Sequence, residues 1–162
     1  MTDTKTPLVG KDFKTIEDIF IDRGLLDRLY TNSVPVDLFR FFESTDLPHS
    51  RFLLRPVLEP YAVAPGRMRS IDIERRDING IMYVIAGTGG VSLFDGVAPF
   101  KKPGVHYKLP QGTAIPPGLA ISRDNLSKTL GRVHYTLHPS QTMAELHFLF
   151  LLRRLSVFAR PA

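Results

Sequence analysis

The chain has no cysteine, and this excludes a disulfide framework, a thiolate metal site and a cysteine nucleophile. Its apolar runs are short: segments such as Phe148 to Leu152 fall far below the roughly 20 residues that a membrane-spanning helix needs. The N-terminal segment, MTDTKTPLVGKDF, has no apolar stretch followed by a small-residue cleavage site. We therefore expect no membrane insertion and no classical signal peptide.

What is present is an ordinary globular composition. Hydrophobic residues make up 43% and charged residues 23% of the 162 residues, which indicates a single domain over residues 1–162, with residues 1–13 as a loose arm. The formal net charge of +5 favours acidic partners. Because the basic residues form no single stripe and lack interleaved aromatic residues, an anionic small ligand or a plain solvated surface is favoured over nucleic acid.

Residue patterns predict short helices near both ends and strands between them. Apolar spacing from Thr15 predicts two short helices separated by Gly24, and the closing segment predicts a helix with Ser140 as its N-cap. Strands are predicted at VPVDLFRFF (Val36 to Phe42), IMYVIA, VSLF, VHYKLP, LAIS and RVHYTLHP, with RDNLSKT as a loop or a single helical turn. The predicted fold class is α+β, a mostly antiparallel twisted β-sheet with flanking helices.

The segment from Glu43 to Arg69 is rich in proline, which interrupts regular structure. It contains Pro48, Pro56, Pro60 and Pro65. We expect a long surface connection of the kind that often carries functional lids.

The stretch GTGGVSLFD, from Gly87 to Asp95, resembles a phosphate loop at first sight. A dinucleotide fingerprint needs a third glycine where Ser92 stands, and no lysine follows to complete a Walker loop. Two apolar runs flank the glycines, so the pattern predicts a β-hairpin. Within it, Ser92 alternates with Val91 and Leu93 and would face the other side of its strand, beside an open turn with room for a ligand.

Other polar residues fall inside predicted strands. Arg40, between two phenylalanines, is either an exposed cation over apolar surface or a planar donor fork for a phosphate. His134, Thr136 and His138 share one face of their strand, but the two histidines are about 13 Å apart, too far to ligate one metal. We therefore predict no metal site. Three acids near the sheet are interpreted as turn, cap or surface residues: Asp95, Asp124 and Glu145.

Three segments between Thr88 and Met143 carry a family resemblance. In order, TGGVSLFD, LPQGTAIPPGLAI and RVHYTLHP resemble the type VI secretion exported effector two family, and upstream DLFRFF resembles the first strand of that family. Members are NAD-dependent cytoplasmic toxins with an ADP-ribosyltransferase-like fold. The resemblance implies the same fold and NAD as a substrate for this chain.

The resemblance also implies roles for individual residues. Arg40 would clamp the pyrophosphate or the adenosine ribose of NAD, and Ser92 would contact the nicotinamide ribose or amide. His134 and Tyr135 would line the same cleft, with the tyrosine ring as a stacking face for nicotinamide. The implied set is Ser92 and His134 as catalytic residues, with Arg40, Ser92, Gly89, Gly90, His134 and Tyr135 binding NAD.

The function that the resemblance implies is a growth-inhibiting toxin. It would cleave the bond between nicotinamide and ribose and transfer ADP-ribose to an intracellular target or to water. Expected partners are the target macromolecule and a cognate immunity protein, and the expected location is the cytoplasm of the producer or of a recipient cell. The alternative is a non-catalytic nucleotide-binding or protein-interaction module on the same fold.

The sequence also departs from the family. No glutamate lies in the predicted strands after Gly90, Val91 stands where the family has threonine, and Glu145 is one residue out of step with the family's helix glutamate. The sequence therefore leaves the identity of a catalytic acid open.

Overall fold

A computed structural model describes residues 8–43, 52–97, 104–128 and 130–162. Two α-helices accompany a set of mostly short strands. The helices are α1 (Ile16–Asp22) and α2 (Glu145–Ser156). The strands are β1 (Leu29–Tyr30), β2 (Leu38–Glu43), β3 (Tyr61–Ala64), β4 (Arg67–Arg69), β5 (Arg75–Ile78), β6 (Ile81–Val84), β7 (Val91–Phe94), β8 (Gly104–Leu109), β9 (Leu119–Ser127), β10 (Arg132–Pro139), β11 (Met143–Ala144) and β12 (Arg160–Pro161).

The strands form three antiparallel sheets. The largest has seven strands in the order β1-β9-β10-β7-β2-β8-β12, a second has the order β11-β6-β5, and β3 pairs with β4. Each strand pairing among the described residues is antiparallel. The predicted α+β class with a mostly antiparallel sheet is therefore confirmed.

Different helices cover the two faces of the seven-stranded sheet. Val91, Leu93 and Leu137 are at most 1% exposed and pack with α2 residues Phe148 and Leu152 in the main core. A smaller cluster on the other face joins α1 to β9. Because side chains alternate along a strand, the residues between these core positions on β7 and β10 belong to this second face.

Helix α1 follows the predicted signals. The hydroxyl of Thr15 accepts a hydrogen bond from the backbone N–H of Asp18 at 3.1 Å, which caps the first turn. Gly24, at φ 69°, takes the left-handed conformation just after the helix, and a 3₁₀ turn follows at Leu26–Arg28. Two short helical pieces separated by Gly24 are thus confirmed.

The hairpin predicted around Gly87–Gly90 is wrong. Strand β6 pairs with β5 and β11, whereas β7 pairs with β10 and β2, so the glycines join two different sheets. A Cβ on Gly89 would lie 2.0 Å from the carbonyl oxygen of Asp72, and one on Gly90 would lie 2.1 Å from that of Leu137. The glycines allow close backbone approach, so backbone of other segments, and not open space, adjoins Gly89 and Gly90.

The proline-rich middle segment is not simply a surface connection. Phe52, Leu53 and Leu54 are at most 8% exposed, and the backbone N–H of Leu54 donates to the hydroxyl of Ser156 at 3.1 Å. The apolar side chains therefore tie this segment to the end of α2 in spite of the prolines. Its first part, residues 44–51, lies outside the described residues.

Two boundary predictions are also wrong. Helix α2 begins at Glu145 rather than after Ser140, because β11 first pairs with β6. The RDNLSKT segment continues β9 as far as Ser127, where its backbone pairs with β10. In both cases pairing with another strand overrides the local signal.

The predicted loose arm does not hold for the part of it that the structure describes. Residues Gly10–Phe13 form a 3₁₀ turn, and the carboxylate of Asp12, 3% exposed, pairs with the guanidinium of Arg76. The hydroxyl of Thr142 donates to the backbone carbonyl of Asp12. One buried ion pair thus anchors the turn, and residues 1–7 lie outside the described residues.

Candidate functional site

Polar side chains form a row across the three neighbouring strands β7, β10 and β9. Ser92 lies opposite Thr136 in the register of β7 and β10, and Thr136 lies opposite Ser122 in the register of β10 and β9. Paired residues share a face, so these three hydroxyl groups line the face that lies away from α2. Ser122 is 0% exposed, whereas Ser92 is only partly buried.

The carboxylate of Asp124 is the centre of this polar row. Its Oδ1 accepts from the Ser122 hydroxyl at 3.0 Å, and its Oδ2 accepts from the Thr136 hydroxyl at 2.6 Å. Nδ1 of His134 lies 2.8 Å from the same Oδ2. Nε2 of His138 lies 2.7 Å from the Ser122 hydroxyl, so both histidines connect to one carboxylate.

The register of β9 and β10 places Asp124 against His134. Thr136 pairs with Ser122 and Tyr135 pairs with Arg123, so the next position on β9 opposite His134 is Asp124. A β-bulge follows directly, because Val133 pairs with Leu126, and such bulges are frequent beside active sites.

Asp124 is ionised at neutral pH. Burial acts to raise the pKa of Asp124, but hydrogen bonds from His134, Thr136 and Ser122 outweigh it and lower the pKa below its ordinary value. The side chain is 33% exposed and that of His134 is 30% exposed. The carboxylate is therefore a fixed negative charge at the edge of solvent.

His138 is the buried end of the network. Its ring packs edge-on against Phe20 of α1, with the ring centroids 5.9 Å apart. Burial, with smaller contributions from Arg23 and His134, lowers the pKa of His138 to about 4, although Asp124 and the backbone of Gly89 act to raise it. The imidazole is therefore neutral in the folded protein at physiological pH.

This buried imidazole predicts a loss of stability in mild acid. The folded pKa of about 4 lies below the ordinary value of 6.5, so between these values the unfolded chain binds a proton that the folded chain does not. The free energy of unfolding should fall by roughly 3 kcal/mol as the pH drops from about 6.5 to about 4. Urea denaturation across this range measures the change.

His138→Gln, which removes the titrating group, should flatten the pH dependence. His147→Gln, at an exposed position on α2, is the matched control and should leave it unchanged. Equal pH dependence in the wild-type chain and His138→Gln would contradict the prediction.

The pairing between β2 and β7 stops next to Arg40. These strands pair only at Phe39 and Phe94, although β2 continues beside β8 as far as Glu43. One guanidinium nitrogen of Arg40 donates to the backbone carbonyl of Ser92 at 3.1 Å, and the other donates to the carbonyl of Arg55 at 2.8 Å. A side chain thus occupies the position where the next backbone hydrogen bond of the ladder would form.

Charges of both signs surround Arg40. Burial lowers the pKa of Arg40 to about 10; Asp72 opposes the shift, whereas Arg69 and Arg55 lower the pKa further. The Asp72 carboxylate also pairs with Arg69 at 3.0 Å and accepts from the backbone N–H of Val57 at 2.6 Å. Because its pKa stays well above 7, Arg40 remains cationic at neutral pH.

The structure brings together some of the predicted site residues. Ser92 and His134 lie on the same face of neighbouring strands, and the guanidinium of Arg40 reaches the Ser92 backbone from β2. Tyr135 is 5% exposed within the main core, on the opposite face from His134, so its ring is not presented beside the histidine. Gly89 and Gly90 pack against protein backbone instead of lining open space.

Asp124 is the residue that the sequence interpretation underestimated. The local pattern placed it in a loop, where an aspartate is ordinarily a turn residue. Its spacing of two from Ser122 was the available signal, because a longer β9 puts both on the face of His134. Reading that signal required knowing that β9 extends to Ser127.

Two features are absent from the part of the chain that the structure describes. None of their helices has the length and apolarity needed to cross a membrane. Nor do they contain a cluster of three or more histidine or acidic side chains that could hold a metal ion.

Comparison with known proteins places the chain in a family. The family model described as Tse2 ADP-ribosyltransferase toxin matches residues 21–158. A curated protein named toxin Tse2, from Pseudomonas aeruginosa, is 38% identical over 56 residues, a match that covers 35% of this chain and 35% of that protein. The match thus spans about a third of the length of the curated relative. Because the family model covers most of the chain, the protein belongs to the Tse2 ADP-ribosyltransferase toxin family.

Proposed function

We propose that this protein is a growth-inhibiting toxin that binds NAD, cleaves its nicotinamide–ribose bond and transfers ADP-ribose to an intracellular target or to water. Family membership supports the reaction class. The observation that carries the site is the contact between the Arg40 guanidinium and the Ser92 carbonyl, at the point where β2 and β7 cease to pair. There a cation suited to a pyrophosphate lies beside the strand of the proposed catalytic serine.

The chemistry places modest demands on the protein. The bond between C1′ of the ribose and the nicotinamide nitrogen breaks, and its electron pair leaves with neutral nicotinamide. The acceptor oxygen or nitrogen then bonds to C1′ and loses a proton. Catalysis depends mainly on positioning the ligand and on negative or hydrogen-bond-accepting groups near the developing cation.

The described residues divide these tasks between two parts of the site. Arg40, with Arg55 and Arg69 nearby, supplies positive charge for the phosphates. Ser92 supplies a hydroxyl, and no hydrogen bond to it occurs among the described residues. His134 supplies an imidazole that is 30% exposed and packs edge-on against Phe94 at 5.3 Å between ring centroids.

The test is release of nicotinamide from NAD by purified protein made by cell-free synthesis, which avoids selection against a toxin. The wild-type chain should release nicotinamide. We expect Ser92→Ala to lower the rate about tenfold through loss of one hydrogen bond, and His134→Ala to lower it about 100-fold. Arg40→Lys keeps the charge but loses the planar fork, so it should also lower the rate about tenfold.

Matched controls lie at exposed positions: Ser70→Ala, Arg67→Lys and His147→Ala. They should match the wild type both in nicotinamide release and in growth arrest after induction in a bacterium. Wild-type rates in all three site variants would refute the proposed site. Intact NAD after incubation with the folded wild-type chain, together with unhindered growth, would favour the alternative of a non-catalytic binding module.

A further inference from the structure

The environment of His134 leaves one ring nitrogen for a ligand. Nδ1 lies 2.8 Å from the carboxylate of Asp124, and the ring edge packs on Phe94. An ionised carboxylate only accepts hydrogen bonds, so Nδ1 must carry the proton. In the neutral imidazole, Nε2 is then an acceptor, and no hydrogen bond to it occurs within the described residues.

Asp124 is itself held in place by other side chains. The hydroxyls of Ser122 and Thr136 donate to its two oxygens, and both residues are at most 9% exposed. The register of β9 and β10 brings the carboxylate opposite His134. Buried donors and strand pairing together fix the direction of one partly exposed carboxylate.

We propose that Asp124 is the positioning residue of the site, which holds His134 in the Nδ1–H tautomer so that Nε2 accepts a hydrogen bond from a hydroxyl of the bound ligand. The role in turnover rests on the proposed NAD-cleaving function, whereas the tautomer is a property of the folded chain alone. Asp124 also places a negative charge behind the imidazole, on the side away from the ligand. A proton that the ligand hydroxyl shares with Nε2 is thereby stabilised without transfer to Asp124.

Nitrogen-15 NMR of the histidine rings tests the tautomer directly. In the wild-type chain His134 should show a single tautomer, protonated at Nδ1. In Asp124→Ala this signal should be replaced by a mixture of the two tautomers or by the Nε2–H form. An unchanged Nδ1–H signal in a folded Asp124→Ala chain would overturn the proposal, whether or not the wild type turns over NAD.

Turnover supplies the second readout. Asp124→Ala should lower kcat for nicotinamide release about 100-fold with little change in KM, because the imidazole is mispositioned while the Arg40 contact is intact. Asp124→Asn has no negative charge, and its amide N–H can donate to Nδ1 and favour the opposite tautomer, so its kcat should also fall. Equal kcat in the wild type and both variants would reject the catalytic part of the proposal.

A control separates this role from the general loss of a carboxylate in the sheet. The carboxylate of Asp95 accepts from the backbone N–H of Val133 at 2.9 Å. Val133 directly precedes His134 in the chain. Asp95→Asn keeps an acceptor for that N–H and should leave both kcat and the His134 tautomer unchanged. If Asp124→Ala does not fold, Asp124→Asn decides: we expect a lower kcat or a loss of the Nδ1–H signal, and a wild-type kcat together with an unchanged Nδ1–H signal overturns the proposal.

Discussion

Gly90→Ala is expected to destabilise the fold by about 3 kcal/mol or more, at the upper end of what an added methyl costs in a packed interior. The added Cβ would lie 2.1 Å from the carbonyl oxygen of Leu137 and 3.0 Å from a methyl carbon of Thr136. Neither Leu137 nor Thr136 can yield easily, because the oxygen belongs to the backbone of β10, a central strand of the large sheet. Urea denaturation of the two chains measures the difference.

Gly10→Ala is the matched control, because Gly10 does not require a positive φ and a Cβ there meets nothing within 4 Å. It should change the free energy of unfolding by no more than about 0.5 kcal/mol. Gly89→Ala should resemble Gly90→Ala, since its Cβ would lie 2.0 Å from the Asp72 carbonyl and its φ is 143°. Gly90→Ala with wild-type stability would show that this close approach does not exist.

Variants at Gly89 and Gly90 do not test the candidate site. Loss of toxicity in a Gly89 or Gly90 variant would report a damaged fold and would carry no information about NAD contacts. Ser92 and His134, which are only partly buried, are the positions where activity can best be separated from folding.

Asp12→Ala should have the other large effect, a loss of about 3 kcal/mol of stability. The Asp12 carboxylate pairs with Arg76, whose side chain is 13% exposed, and accepts from the backbone N–H of Val9 at 3.0 Å. Removal of the Asp12 carboxylate leaves the Arg76 guanidinium paired with Glu74, whose side chain is 44% exposed. A buried cation that loses its buried partner keeps its desolvation cost without the compensating attraction.

Asp22→Ala is the comparison for Asp12→Ala. Asp22 also pairs with a cation, Lys14 at 2.6 Å, but both side chains are at least 50% exposed. Surface pairs of this kind contribute about 0.2–1 kcal/mol, so the variant should unfold close to the wild type. If the two variants lose equal stability in urea denaturation, the 3₁₀ turn at Gly10–Phe13 is not anchored as described.

The sequence predicted the local geometry better than the long-range pairing. Alternation along VSLF and RVHYTLHP correctly placed Ser92 and His134 on faces opposite their apolar neighbours. Glycines between two strands did not reveal that β6 and β7 belong to different sheets, because pairing depends on β5, β10 and β11. Local residue preference carries no information about those distant partners.

The same limit explains Asp124. Its contacts depend on the extension of β9 and on three donors from two strands. The residue pattern around Asp124 is the same whether the segment forms a turn or a strand with these contacts. The buried segment at Phe52–Leu54 was missed for a related reason, since its prolines signal irregular backbone and irregular backbone can still carry core side chains.

The strand order of the large sheet also determines when the candidate site can form during synthesis. Strand β1 pairs with β9, and β2 pairs with β7 and β8, so much of the sheet joins segments that are far apart in the chain. Closing such long loops precedes any gain from burial, and folds of this kind form slowly. During synthesis, Arg40 and Ser92 emerge before Asp124 and His134. A nascent chain therefore cannot assemble the polar row around Asp124 until β10 has been made and has paired with both β7 and β9.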